Sequence, residues 1–242
     1  MDEHPHTWIP YCGIAPGPDT LLASWNVDII LLALVGGALI LGWRRAPRDK
    51  TSHIGAAFVM LVLFVSPLCA LGSALFAIRA VHHVALALVL APLLVDSLAL
   101  EKRVGAASLG LLTAAQAIIF WFWHVPDIYA AALSNHAVFW VMQASITASA
   151  ALWWASMRQS NAPSAVAATM ATMVQMGALG ALLTFAGRAF YAPHLQTTQA
   201  WGWTPLEDQQ VAGLIMWAPA SGAYLLIALT ILYRSMQPTP AR

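Results

Sequence analysis

Seven stretches of this chain are too long and too apolar to be wetted, and that property decides its fold class. They lie at 27–43, 54–76, 81–99, 104–123, 137–157, 165–187 and 209–233. Each is close to the ~20 apolar residues that carry an α-helix across a bilayer. In lipid every backbone N–H and C=O must be satisfied inside its own segment, so these runs predict helices. The expected fold is an all-α integral membrane protein, a bundle of seven transmembrane helices. With 60% hydrophobic and 9% charged residues, little is left to build a soluble domain. Residues 1–26 read as an N-terminal segment, 27–234 as the membrane domain and 235–242 as a tail.

Orientation follows from the basic residues. The connection WRRAPRDK holds Arg44, Arg45, Arg48 and Lys50, and the positive-inside rule places it in the cytoplasm. Lys102, Arg103, Arg158, Arg234 and Arg242 then fall on the same side. The N-terminus is expected outside, the C-terminus inside, and the location in a bacterial inner membrane. The opening MDEHPHTWIPYCG is acidic and polar where a secretory signal needs a basic flank, so no cleaved signal is expected. Arg79 and Arg188 are the basic exceptions in the opposite loops. Those loops carry Trp121, Trp123, Tyr129, Trp201 and Trp203, suited to an interfacial belt. Pro67, Pro92 and Pro219 fall inside spans, where each removes a backbone donor and should bend its helix. Gly177 with Gly180 is expected to allow close helix contact.

Several functions are excluded at this stage. A net charge of +1 without a basic cluster gives no footprint for nucleic acid, and no Gly-rich phosphate loop is present. The only lysines, Lys50 and Lys102, lie in loops, leaving none for a retinal Schiff base. No span places an acidic or basic residue near its middle, as a transporter would. Hydrolytic motifs are absent, so an enzyme is not expected.

What remains is histidine. His4, His6, His82, His83, His124, His136 and His194 fall on the outer side and only His53 on the inner side. Imidazole is the commonest metal ligand near neutral pH, and sites mixing it with Met or Cys favour copper. His83 opens the third span, His124 closes the fourth and His136 opens the fifth, so antiparallel packing could bring the three to one level. They are the first ligand candidates. His82 is turned about 100° from His83 on a helix, so one inward site is not expected to use both. For any one of these histidines, an interfacial side chain with a water or backbone partner is the simpler reading. Thr204, Pro205 and Glu207 read as a capping box opening the last span. Asp208, one residue on, is open to either a ligand or a capping role. Met216 shares its helical face and reads first as a core filler. Cys12 and Cys69 could pair or offer soft ligands, with an unpaired buried Cys69 as the default. A haem-binding electron carrier stays open, because His83 with His124 or His136 could serve as axial ligands.

At these residues the chain resembles the polytopic CtaG proteins of cytochrome c oxidase assembly. The resemblance runs through HHVALALVLAPLLV, FWFWHVPDIYAAAL with His136, the tryptophan pair of ALWWASMR, and GALLTFAGRAFYAPH leading to PLEDQQVAGLIMW. It implies an assembly factor for a haem-copper oxidase that handles copper for the oxidase's metal centre, and the residues read above offer the outer-face site: His83, His124, His136 and Asp208. Further donors would be His82, His194, Met216 and Cys12, and the partners an oxidase subunit or other copper-handling factors. The chain departs from the family pattern once: two histidines four residues apart open the third span, and here the first position is Arg79. Arg79 could instead pair with Asp127 or Asp208 and make a partner-docking site. A metal-free scaffold is the alternative.

Overall fold

The computed structural model describes residues 10–45, 50–104 and 108–237, so His4, His6, Arg48 and Arg242 lie outside the described residues. Those residues form helices and turns with no strand among them. The helices are α1 (Ile29–Arg45), α2 (Lys50–Phe64), α3 (Pro67–Ala74), α4 (Phe76–Leu98), α5 (Glu101–Val104) and α6 (Leu109–Trp123). They continue as α7 (Pro126–Ser134), α8 (His136–Gln159), α9 (Ala162–Thr184) and α10 (Pro205–Met236). Four of these, α4, α8, α9 and α10, are long and apolar enough to cross a membrane. The count rises to six if α2 with α3, and α6 with α7, each make one bent span.

The breaks have identifiable causes. The α2–α3 bend of 44° falls where Ser66 caps α3 ahead of Pro67, as expected for a proline inside a span. The carbonyls of Phe64 and Val65 freed there accept from the side chain and backbone of Asn26. The α6–α7 bend of 73° has Pro126 in the first turn of α7. Pro92 and Pro219 do not break their helices. Each lies within or just after a π-helical turn, Leu86–Leu90 and Met216–Ala220. Pro92 has no N–H to reach back to Ala87, and the Trp154 indole N–H donates to that carbonyl instead, at 2.9 Å. The tryptophan of ALWWASMR thus repairs a proline gap in the neighbouring span.

Close packing of α9 on α10 depends on Gly180. A Cβ there would lie 2.6 Å from the Trp217 nitrogen and 2.7 Å from the Gly213 carbonyl, so only glycine fits. Gly213, the facing residue, is equally constrained. Along α1, α2, α4 and α8 runs an apolar groove of about 1350 Å³, floored by small residues such as Ala56, Ala144 and Ala148.

Two ends of the bundle differ. Asp96, Glu101 and Arg158 mark one; Cys12, His82, His124 and His194 mark the other, called here the histidine end. At the histidine end residues 10–28 are strapped across the bundle. The Cys12–Cys69 disulfide holds the strap, so the default of an unpaired Cys69 is corrected. Tyr11 stacks on Phe139 and donates to Asp28, and the Trp201 indole donates to Pro16. That hydrogen bond from Tyr11, with those from the backbone of α1, holds the Asp28 carboxyl below its usual range.

Candidate functional site

The site is built on the first turns of α4. The chain leaves α3 through a single extended residue, Leu75, and turns back into helix at Phe76. Starting a helix leaves amide N–H groups without partners, and here a carboxylate from another span supplies them. Asp208 accepts from the Phe76 N–H at 2.6 Å and the Ala77 N–H at 3.0 Å, one with each oxygen. The span therefore opens at 76 rather than 81, and Arg79 lies inside it, fully buried, instead of in a loop.

Arg79, His82 and His83 follow within two turns, all buried. His83 meets His124 edge to face with ring centroids 5.4 Å apart, and His82 lies 6.2 Å from His83. His124 occupies the break between α6 and α7, stacked on Phe120. Its Nδ1 is 2.7 Å from the Phe120 carbonyl. A carbonyl only accepts, so Nδ1 carries the proton and Nε2 presents a lone pair. That Nε2 and both nitrogens of His83 have no hydrogen-bond partner among the described residues. The Tyr191 hydroxyl, donating to the His124 carbonyl at 2.8 Å, fixes the bend that aims this ring.

The remaining candidates divide. His194 is buried in the turn Ala192–His194, with Nδ1 3.4 Å from the Ala74 carbonyl and Nε2 2.8 Å from the Tyr129 hydroxyl. The same rule makes Nδ1 the donor and Tyr129 the donor to Nε2, so both nitrogens are engaged. Burial pushes the His194 pKa down to about 3, keeping the ring neutral, and burial likewise raises the Tyr191 phenol above its usual range. Asp208 caps α4 with both oxygens, the structural one of its two readings. Glu207 forms the predicted capping box with Thr204. Met216 is buried on the π-helical turn that packs against α4, away from lipid. Its neighbour Trp217 contacts the α9 glycines.

Three expectations are corrected. His136 is exposed at the start of α8, against Tyr11, and does not join His83 and His124. Tyr11 of the strap packs on both His136 and Phe139, and Asn135 caps α8 one residue before His136. Cys12 is bonded to Cys69 and has no thiolate to offer. Arg79 pairs with neither carboxylate: Asp208 faces the α4 amides, and Asp127 is exposed in the first turn of α7. Sequence reasoning missed Tyr129, Tyr191 and Gln209, which hold the 185–204 loop over the site. A tyrosine among apolar residues in an aromatic loop gives no signal that separates a buried hydrogen-bond donor from an interfacial one.

The chemistry available is that of two neutral imidazoles facing each other in an apolar setting, with lone pairs uncommitted. No group of three or more His, Cys, Asp or Glu side chains suited to holding a metal ion occurs among the described residues. A pair of nitrogens fits a soft monovalent ion that accepts few ligands better than it fits zinc or magnesium. Residues 106–237 match the family model of the cytochrome c oxidase caa3 assembly factor. That stretch includes His124, Tyr129, His194, Asp208 and Met216 and leaves the α4 residues before it. No curated protein and no solved structure matches the chain.

Proposed function

Given that the chain belongs to the cytochrome c oxidase caa3 assembly factor family, we propose that it assists maturation of a haem-copper oxidase by handling copper at its histidine end. The observation that carries this reading is the edge-to-face pair His83 and His124, buried, with Nδ1 of His124 held on the Phe120 carbonyl and the other ring nitrogens unpaired among the described residues. Copper would supply the metal of the oxidase's own centre; this chain's part is to hold it between two imidazoles, screen it from water and release it. The role is one of binding and transfer rather than catalysis. Its partners would be an oxidase subunit or another copper-handling factor.

The same reading places the protein in the bacterial inner membrane with seven spans. The shorter apolar helix Ile29–Gly42 beside the six candidate spans supports that number. Lys102, Arg103, Arg158 and Arg234 at the end away from the histidines support a periplasmic histidine end and a cytoplasmic C-terminus. His53, in the first turn of α2, also lies at the basic end.

The test is copper content of detergent-purified protein after Cu(I) loading and removal of excess metal. Near-stoichiometric copper in the wild type and in His136→Ala, lost in His83→Ala/His124→Ala, is the expected pattern. Retention in that double variant, with its fold intact by circular dichroism, would overturn the site. A metal-free scaffold is the second reading, favoured by the groove along α1, α2, α4 and α8, which is wide enough for part of a partner helix. No copper in any variant, together with co-purification of an oxidase subunit, would favour it. A visible absorbance band from the purified protein would point to the haem carrier instead.

A further inference from the structure

Arg79 is the most expensive residue in this fold. Its guanidinium is charged at any physiological pH and cannot shed its proton, and it is 0% exposed within a membrane span. Taking such a charge out of water costs several kcal/mol even after relaxation, unless an opposite charge accompanies it. Water can satisfy N–H groups, but it cannot cancel charge. Among the described residues no carboxylate makes a salt bridge with it: both oxygens of Asp208 lie on the α4 amides, Asp127 is exposed, and Asp96 and Glu101 pair with Arg158 at the other end.

The surroundings are polar side chains left largely unpaired. None of the three guanidinium nitrogens has a hydrogen-bond partner among the described residues. The Phe139 ring lies 5.3 Å from Cζ, and the Tyr129 hydroxyl stands beside the group without a well-directed bond to it, its own proton given to His194. On the third side is Gly72, where a Cβ would come within 3.2 Å of Cζ. Two more buried hydroxyls, Ser73 and Thr198, have no partner. They adjoin Ala74 and Thr197, which a 2.7 Å hydrogen bond joins, and Ser73 follows Gly72 in the chain. His82, with two unpaired nitrogens, adds another N–H. A buried guanidinium with neither a salt bridge nor a hydrogen bond among the described residues, flanked by unpaired hydroxyls and an imidazole that can turn N–H and O–H groups toward it, matches an anion.

We propose that this cluster binds a small monovalent inorganic anion of chloride's size and charge, held by Arg79 beneath the strap of residues 10–12. One charge is needed, so one is bound. The strap closes the site with the Cys12–Cys69 bond and the Tyr11 stack on Phe139, which admits a halide and excludes a side chain from a folded partner. The site lies one turn before His83 on α4, and its test uses no copper.

Thermal unfolding of the full-length protein in detergent tests it, with chloride or bromide titrated against gluconate at constant ionic strength and cation. The expected result is a saturable rise in Tm of about 5 °C in halide, absent in Arg79→Met, which should be no less stable than the wild type in gluconate. A wild-type Tm that ignores the anion, or an equal halide response in Arg79→Met, overturns the proposal. If Arg79→Met does not fold, crystals of the wild type grown in bromide decide: an anomalous peak within hydrogen-bonding distance of the guanidinium upholds the site, and its absence at saturating bromide overturns it. A fall in Tm on Asp2→Asn/Glu3→Gln, with no halide response in the wild type, would assign the counter-charge to the chain's own N-terminal carboxylates and also overturn it.

Discussion

Arg79 and Arg158 both lie against aromatic residues of α8, over Phe139 near its start and over Trp154 near its end, at 5.3 and 5.8 Å. There the likeness stops. Arg158 is 29% exposed and reaches Asp96 and Glu101, whereas Arg79 is wholly buried with no carboxylate against it. A membrane fold can solve the cation problem cheaply at a wet end by pairing and snorkelling. At the histidine end it does not, and instead builds a strap, a disulfide and a cross-helix cap above an uncompensated charge and two uncommitted imidazoles. The difference separates a helix-end anchor from a region organised around something it binds.

The contrast predicts that covalent ties matter at one end only. The disulfide joins residues 57 positions apart, and closing a loop of that length stabilises by about 4 kcal/mol through the unfolded state. Cys12→Ser/Cys69→Ser is therefore expected to lower Tm by more than any surface change and to expose Tyr11 and Trp140 to a collisional quencher. An unchanged Tm would mean that the strap holds without its bond, and the asymmetry between the ends would lose its main physical basis.

Acid should attack the same end next. His194 binds a proton at about pH 3 in the folded protein and near its ordinary value when unfolded. Between those values the unfolded chain holds the extra proton, so this contribution is intact above about pH 6.5 and falls by about 1.4 kcal/mol for each pH unit below it. His194→Gln, which keeps a donor for Ala74 and an acceptor for Tyr129, is expected to flatten the fall in Tm between pH 6.5 and 4.5. An identical acid profile in the variant would move the sensitivity elsewhere.

Much of this was legible in the sequence because apolar runs and basic loops are one-dimensional signals. The all-helical fold, the Thr204–Glu207 capping box and the close approach at Gly180 needed no partner segment to be read, while the seven expected runs correspond to four to six candidate spans among the described residues. The failures share a cause: each depends on what a distant segment supplies. The true start of α4 was hidden because its cap, Asp208, is 132 residues away from Phe76. That misplaced Arg79 into a loop. His136 looked equivalent to His83 by position along a span, yet rotation about the helix axis and the overlying strap separate them. The pairing of His83 with His124 was legible because both sit at the level where antiparallel spans meet.

The smallest effect is the most discriminating. Arg158→Gln removes an exposed ion pair and a cation–π contact, which are worth about 0.5 to 1 kcal/mol each at such sites. The expected shift in Tm is therefore a few degrees or less. Salt should reduce it, because screening weakens an exposed pair in the wild type and has nothing to weaken in the variant. A salt-insensitive loss as large as that of the disulfide variant would mean that Asp96 and Glu101 are left as damaging as buried charges, and that the basic end is as tightly organised as the histidine end. A small, salt-dependent loss leaves Arg79 as the guanidinium whose environment asks for a ligand, since the same side chain packed against the same helix then costs little wherever a carboxylate and water are at hand.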